Sequence, residues 1–265
     1  MTSGLNVTST NADHSSAQKP QGEQIAKHFS AAAHHYAKHD SLQRMSRDVL
    51  LAHGQFAASV VDIGCGPGTD LAAKGVKHTV GVDIALGMLQ QARDQLVGLS
   101  PICANAEQLP LADDSVECIY SNLALQWCDN FPSAVNEMAR VVRSGGYVNL
   151  AIVTDGSLAE LQQLGLHVNS FLTFESVTEA FTPSDWHLQW HEQQTLTCYF
   201  DDLKQLLYSI KGVGASTHTC GQANAKTKLT GRQSWLALQQ SAQQIRVAQG
   251  LPLSYQIGFI RAQKR

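Results

Sequence analysis

The chain has 265 residues, enough for one large α/β domain with an insertion, and its 43% hydrophobic content suits a sizeable core. Its 19 Lys+Arg stand against 22 Asp+Glu, a formal charge of -3, with no basic run that would neutralise a line of phosphates, which argues against a nucleic-acid partner. No apolar stretch approaches the roughly 20 residues of a membrane-spanning helix, and the N-terminus lacks the basic-then-apolar layout of a secretory signal, so a cytoplasmic location is expected.

Residues 1–19 are rich in Ser, Thr, Asn and Ala, the composition of a disordered tail. Over 20–55, apolar residues recur at helical spacing (Ile25, Phe29, Tyr36, Leu42, Met45, Val49, Leu50), which predicts two helices placed to cover the main domain. The main domain, 56–265, opens with short β-branched runs alternating with helical segments. Strands are predicted over 59–63, 78–84, 102–104, 116–121 and 147–153, and helices over 70–75, 86–96 and 133–142. The last of these is closed by Ser144-Gly145-Gly146. This alternation implies an α/β, Rossmann-like, doubly wound and mostly parallel sheet. Past Val153 the pattern predicts a helix over 158–168, a strand over 196–200, helices over 201–210 and 234–248, and a closing strand over 255–261. The helical insertion of about 201–250 falls between the last two strands, where it would cover the carboxyl ends of the sheet.

Six cysteines (Cys65, Cys103, Cys118, Cys128, Cys198, Cys220) include no Cys-x-x-Cys pair, and the eleven histidines lack ligand spacing on a helix face. Neither a disulfide framework nor a metal is expected.

The chemical signal is the turn after the first strand, Asp62-Ile63-Gly64-Cys65-Gly66-Pro67-Gly68-Thr69. Its glycines let the backbone turn tightly and approach a ligand. The third glycine falls one place earlier than in a dinucleotide fingerprint, and no Gly-Lys-Ser/Thr follows, so nicotinamide chemistry and a phosphate loop are both disfavoured. The turn suits a ligand without pyrophosphate. Asp62 is placed to accept a hydrogen bond or compensate an amino group. Asp83, closing the second strand, is placed to accept ribose hydroxyl protons or to cap the following helix.

Asp-x-Gly-x-Gly-x-Gly followed by Val82-Asp83-Ile84 resembles the class I S-adenosylmethionine-dependent methyltransferases, and the match runs over about 59–153. The resemblance implies a cofactor site at Asp62, Gly64, Cys65, Gly66, Gly68, Asp83, Ile84 and Met88. It adds Asn105-Ala106-Glu107 as the adenine-contacting motif, with Asn105 where the family usually has Asp, and Asn122, Leu123 and Trp127 beyond the fourth strand. No metal is implied.

Further segments resemble one subgroup, the malonyl-acyl-carrier-protein O-methyltransferases of biotin synthesis. They are Phe29-Ser30-Ala31-Ala32-Ala33-His34-His35-Tyr36 with Leu42-Gln43-Arg44, then 121–128 (Ser-Asn-Leu-Ala-Leu-Gln-Trp-Cys), and 207–215 (Leu-Tyr-Ser-Ile-Lys-Gly-Val-Gly-Ala). The subgroup implies methylation of the free carboxylate of a malonyl thioester on acyl-carrier protein or coenzyme A. On the acceptor side the candidates are Tyr36, Lys211 and Arg44, although a core tyrosine and a solvated helix-end lysine account for the first two equally well. Lys204, Lys211, Lys226, Lys228 and Arg232 form a late basic set suited to an acidic carrier protein. The alternatives are a methyltransferase of quinone precursors and a non-catalytic cofactor-binding module. Oligomeric state has no sequence signal.

Overall fold

The computed structural model describes residues 21–32, 40–96, 98–212 and 231–265, so the tail predicted over 1–19 lies outside the described residues. Seven strands are described: β1 (Ser59–Ile63), β2 (His78–Asp83), β3 (Leu99–Cys103), β4 (Val116–Asn122), β5 (Val142–Thr154), β6 (Trp186–Phe200) and β7 (Leu251–Lys264). The described helices are α1 (Gln21–Ala32), α2 (Ser41–His53), α3 (Leu86–Gln95), α4 (Phe131–Val141), α5 (Ala159–Gln163), α6 (Phe174–Glu179), α7 (Leu203–Gly212) and α8 (Arg232–Gln244). The strands form one sheet in the order β3-β2-β1-β4-β5-β7-β6. β1 to β5 are parallel, and β7 runs antiparallel between β5 and β6.

Four consecutive β1 residues, Val60 to Ile63, are buried, because both faces of the sheet are covered. On one face α4 lays a stripe of Phe131, Ala134, Val135, Met138 and Val141 against the sheet. On the other, Leu42 and Leu50 of α2 pack with Val60, Tyr120 and Phe259. Burying each such side chain contributes ~1.5–3 kcal/mol. α4 begins two residues before its predicted start because Asn130 caps it, its side chain accepting from the Ser133 N–H at 3.2 Å, with proline in the first turn.

A buried polar clasp fixes how α2 leads into the sheet. Asn149 on β5 accepts from the Gln55 N–H (2.9 Å) and donates to the Gln55 carbonyl (2.8 Å). Replacing it, Asn149→Leu, strands both backbone groups and is expected to lower the unfolding free energy by ~2–4 kcal/mol. Thermal denaturation checks this, and an unchanged Tm would show that solvent satisfies Gln55.

Several elements differ from the sequence expectation. The glycines after α4 do not simply stop a helix. β5 starts at Val142, and the stretch 143–146 bulges opposite β4, between the pairs Val116↔Val142 and Cys118↔Tyr147. The backbone comes so close there that a Cβ on Gly146 would lie 2.8 Å from the Glu117 carbonyl. β6 is three times its predicted length. Its polar residues (His187, Gln189, His191, Gln193) hide it from a hydrophobicity reading, as suits an edge strand. The helix predicted over 158–168 is reduced to α5, stopped by Gly165 at φ +72°. The helix predicted over 70–75 is a single 3-10 turn at Ala72–Lys74, and α6 was not anticipated.

The described parts of the late insertion, α7 and α8, sit at the carboxyl edge of the sheet. β5 ends at Thr154 opposite Gln256, while β6 and β7 pair on to Phe200↔Leu251, about five residues or ~17 Å further. Where β5 stops, side chains replace its ladder: the Ser157 hydroxyl accepts from the Gln256 N–H (2.8 Å) and Glu160 accepts from the Ser254 N–H (3.0 Å). α7 and α8 close around this overhang through Leu161, Leu203, Leu206, Leu238, Leu251 and Leu253.

Candidate cofactor site

The sheet order reverses between β1 and β4, and a cleft opens at their carboxyl ends. Its floor is the turn leaving β1. The N–H groups of Gly64 and Cys65 both donate to the Val82 carbonyl (2.7 and 3.1 Å), folding the turn back over β2. Gly64 is held at φ +69° directly against the next wall, where an added Cβ would lie 2.0 Å from that of Ala124. Gly66, at φ +53°, has no atom of the described residues, its chain neighbours aside, within 4 Å of a would-be Cβ, so its backbone faces the cleft.

Asp83, at the end of β2, ties this turn to the next helix. One carboxylate oxygen accepts from the Gly66 N–H (2.9 Å) and the other from the Ala85 N–H (2.8 Å). Burial raises its pKa above the usual carboxylate range against the lowering effect of these bonds. Asp62 stands one layer behind. It is 1% exposed, and burial reinforced by the Asp83 charge pushes its carboxyl up to about 8. Its Oδ2 is buried without a hydrogen-bond partner.

The third wall is the loop after β3. Asn105 accepts the Glu107 N–H through its side-chain oxygen (2.9 Å), so one lone pair of the amide expected to meet adenine already shapes its own turn. Glu107 accepts the Asp129 N–H (2.8 Å), joining this wall to the segment after β4. Arg140 of α4 clamps the loop from outside, donating to the carbonyls of Leu109 (2.9 Å) and Leu111 (2.8 Å) while paired with Glu137 and Asp113.

The fourth wall, 122–127, is the most strained. Leu123 adopts φ +54°, which costs a branched residue ~1–2 kcal/mol. It is held there by its N–H on the Ala151 carbonyl (2.8 Å) and by Gln126 donating to its own carbonyl (2.7 Å). Asn122 is fixed from α2, accepting the Ser46 hydroxyl (2.7 Å) and donating to the Gln43 carbonyl (2.9 Å). α1 closes the top. Its Phe29 meets Trp127 edge-on with centroids 5.9 Å apart, and Ser30 accepts the Gly87 N–H of α3 at 3.3 Å.

Of the residues singled out in the sequence, Gly64, Gly66, Asp83, Ile84, Met88, Asn105, Ala106, Glu107, Asn122, Leu123 and Trp127 line this cleft. Asp62, Cys65 and Gly68 are not in the lining. The sequence reading missed Gly22 and Phe29 of α1 as lining, and Ala124, Leu125, Cys128 and Asp129 as neighbours of the recognised motif. Helical periodicity had found Phe29 but not its target, and nothing distinguished Gly22. Tyr36, Lys226 and Lys228 fall outside the described residues, as does the side chain of Lys211. Arg44 lies on the first turn of α2, 55% exposed and paired with Asp40 at 2.6 Å, away from the lining. α7 and α8 contribute none of the described lining; the described cover is α1.

The charges in the cleft have one sign. Its described lining includes Asp83, Glu107 and Asp129 and no Lys, Arg or His, which suits a ligand carrying positive charge and opposes a pyrophosphate. Among the described residues no cluster of His, Cys, Asp or Glu could hold a metal, and no helix is long and apolar enough to cross a membrane. The five described cysteines are free.

Comparison with known proteins fits this geometry. A family profile described as methyltransferase domain matches residues 61–150. The malonyl-[acyl-carrier protein] O-methyltransferase of Pseudescherichia vulneris is 39% identical over 214 residues, covering 76% of this chain and 82% of that protein. Its namesake from Salmonella typhimurium is 37% identical over 224 residues, covering 80% and 88%. Among solved structures, geranyl diphosphate C-methyltransferase from Streptomyces coelicolor, in complex with Mg2+, geranyl diphosphate and S-adenosyl-L-homocysteine, shares the fold. It matches with a TM-score of 0.57 at 15% identity, over 94% of this chain and 100% of that one. Fold, glycine turn and similarity over most of its length together place the chain in the malonyl-[acyl-carrier protein] O-methyltransferase family, within the class I S-adenosylmethionine-dependent methyltransferases.

Proposed function

We propose that this enzyme transfers the methyl group of S-adenosylmethionine to the free carboxylate of a malonyl thioester on acyl-carrier protein, giving the malonyl methyl ester that enters pimeloyl and biotin synthesis. The observation that carries the cofactor assignment is the acid-lined cleft at the β1/β4 reversal, with Asp83 bonded to the glycine turn. The residues fit the cofactor on three counts. Asp83 keeps lone pairs for ribose hydroxyls, Gly66 leaves room where a side chain would intrude, and the cleft's acids complement a cation.

When bound, S-adenosylmethionine supplies an electrophilic methyl group on its sulfonium. The chain's residues have the remaining tasks. A malonyl carboxylate, with a reference pKa of about 4, is already ionised near neutrality, so no side chain has to remove a proton. Positioning the nucleophile behind the methyl group can supply ~7–11 kcal/mol of the barrier. The rigid 122–127 wall and the α1 cover, bringing Phe29 onto Trp127, limit where an acceptor can enter and exclude water. Tyr36 and Lys211 are the proposed groups that orient the acceptor carboxylate, with Arg44 a third that would have to exchange its pairing with Asp40 for the acceptor. Residues 20–55 and the insertion of about 201–250 form the proposed acceptor-side cover.

The carrier's proposed dock is the late basic region. From Leu203 to Arg265 the chain has nine Lys/Arg and no Asp or Glu, against a net negative whole. Lys204 and Arg232 are exposed there, Lys204 standing 5.8 Å over the half-exposed Tyr208 ring. Such a face complements an acidic carrier protein.

Mass spectrometry of malonyl-acyl-carrier protein incubated with enzyme and cofactor tests the assignment. The expected result is a gain of one CH2, and no gain on any malonyl thioester would overturn it. In the same assay Tyr36→Phe and Lys211→Ala are each expected to reduce turnover by ~10-fold or more. Wild-type rates in both would remove these two from the acceptor site.

A further inference from the structure

Behind the cleft lies a polar cluster that the assignment above does not use. Asp62 on β1 and Tyr120 on β4 are register partners on adjacent parallel strands, 1% and 0% exposed. Among the described residues, Asp62 Oδ2 and the Tyr120 hydroxyl are each sealed from solvent without a completed hydrogen bond. Leaving such groups unsatisfied costs a fold ~1–3 kcal/mol each, and a phenylalanine at position 120 would remove one at no loss of packing volume. Thr69, at the far end of the glycine turn, stands close enough to both oxygens to favour their ionised forms. An acid with two neighbouring hydroxyls, one on its register partner and one at the end of its own turn, therefore lies outside the lining of a cleft that suits cations.

We propose that Asp62, with the Thr69 and Tyr120 hydroxyls, is a buried countercharge that is protonated in the free protein and ionises when the cationic cofactor enters the cleft. The proposal rests on the cofactor assignment above. In the step, the carboxylic O–H bond of Asp62 breaks, the electron pair stays on the carboxylate, and the proton leaves to solvent. Tyr120 and Thr69 then donate to the carboxylate, and the ligand's positive charge offsets its burial. The other groups facing this cluster act against ionisation or are remote from it. Asp83 and Cys65 oppose a negative charge on Asp62, or are opposed by it, while Arg47 and Asp48 of α2 act on Tyr120 with opposite signs. Tyr120 and Thr69 are positioning residues: they act through Asp62.

The sign of the linkage follows. Below about 8 the free protein holds the proton, so cofactor binding releases it, and apparent affinity rises with pH until Asp62 is already ionised without ligand. Calorimetry of the full chain in buffers of different ionisation enthalpy reads this directly. At mildly acid pH, S-adenosylmethionine should release close to one proton per site. 5′-Methylthioadenosine, which lacks both the sulfonium and the ammonium, should release none. Asp62→Asn should abolish the release. Tyr120→Phe should weaken S-adenosylmethionine ~10-fold or more, leave methylthioadenosine within about twofold, and move the loss of proton release to higher pH. Thr69→Val should act in the same direction and serves if Tyr120→Phe proves unstable. Equal weakening of both ligands, or an unshifted profile, would reduce Tyr120 to a packing residue and overturn the proposal. Binding of both ligands with no proton release overturns the countercharge while leaving the methyltransferase assignment intact. Binding of neither ligand removes both.

Discussion

Gly64→Ala is expected to lower the unfolding free energy by ~2–5 kcal/mol, combining a left-handed backbone penalty of ~1–2 with overpacking of ~1–3. The backbone is held at φ +69°, and the new methyl would sit 2.0 Å from the Ala124 Cβ, on a wall that is itself strained at Leu123. Neither side can yield cheaply, because Leu123 is pinned to Ala151 and Gly64 to Val82. Thermal melting should fall by roughly 5–15 °C, and cofactor affinity should fall with it. Gly66→Ala separates the two effects. At φ +53° with no atom within 4 Å, alanine there incurs only the backbone strain, but its methyl projects into the cleft. It is expected to fold with a small loss and to bind S-adenosylmethionine at least ~10-fold more weakly. Gly75→Ala, with φ +78° and equally open space but outside the cleft lining, is the control: similar strain, unchanged binding. Equal binding by Gly66→Ala and Gly75→Ala would contradict the placement of the cofactor over the turn.

Asp83→Ala is expected to weaken S-adenosylmethionine by two orders of magnitude or more. In the proposed site, two charge-assisted bonds to ribose hydroxyls would contribute ~1.5–3 kcal/mol each, and the mutation also releases the Gly66 and Ala85 N–H groups that the carboxylate organises. Asp83→Asn retains an acceptor oxygen and should fall between wild type and alanine. Because the role proposed for Asp83 is in cofactor binding alone, turnover at saturating cofactor should fall far less than affinity. A loss of turnover with unchanged affinity would point to a role in the acceptor pocket instead.

The segments that line the cleft were legible because they are consecutive residues at strand ends. The glycine turn, Asp83, Asn105 to Glu107 and Asn122 to Trp127 each lie at or just past the carboxyl end of a parallel strand, and parallel pairing brings such segments to one edge whatever the helices do. Phe29 was legible as an apolar helix position, but its contact with Trp127 depends on how α1 crosses α3, which no local pattern encodes. Polar edge strands defeat a hydrophobicity reading, so most of β6 escaped it. The difference between Gly64 and Gly66 was also hidden, since both are glycines in one motif and only the position of Ala124 tells packing from ligand space.

By itself the sequence determined the fold class, the methyltransferase family and the strand ends that line the cleft, because these depend on short-range periodicity and on backbone freedom at a few glycines. The tertiary structure alone decided that Asp62 is buried and outside the described lining of the cleft, that it is the register partner of Tyr120, and that Arg44 pairs with Asp40. Those relations are set by burial and by cross-strand register between residues as far apart as 62 and 120, and a carboxyl's charge state follows from its surroundings rather than from its neighbours in the chain.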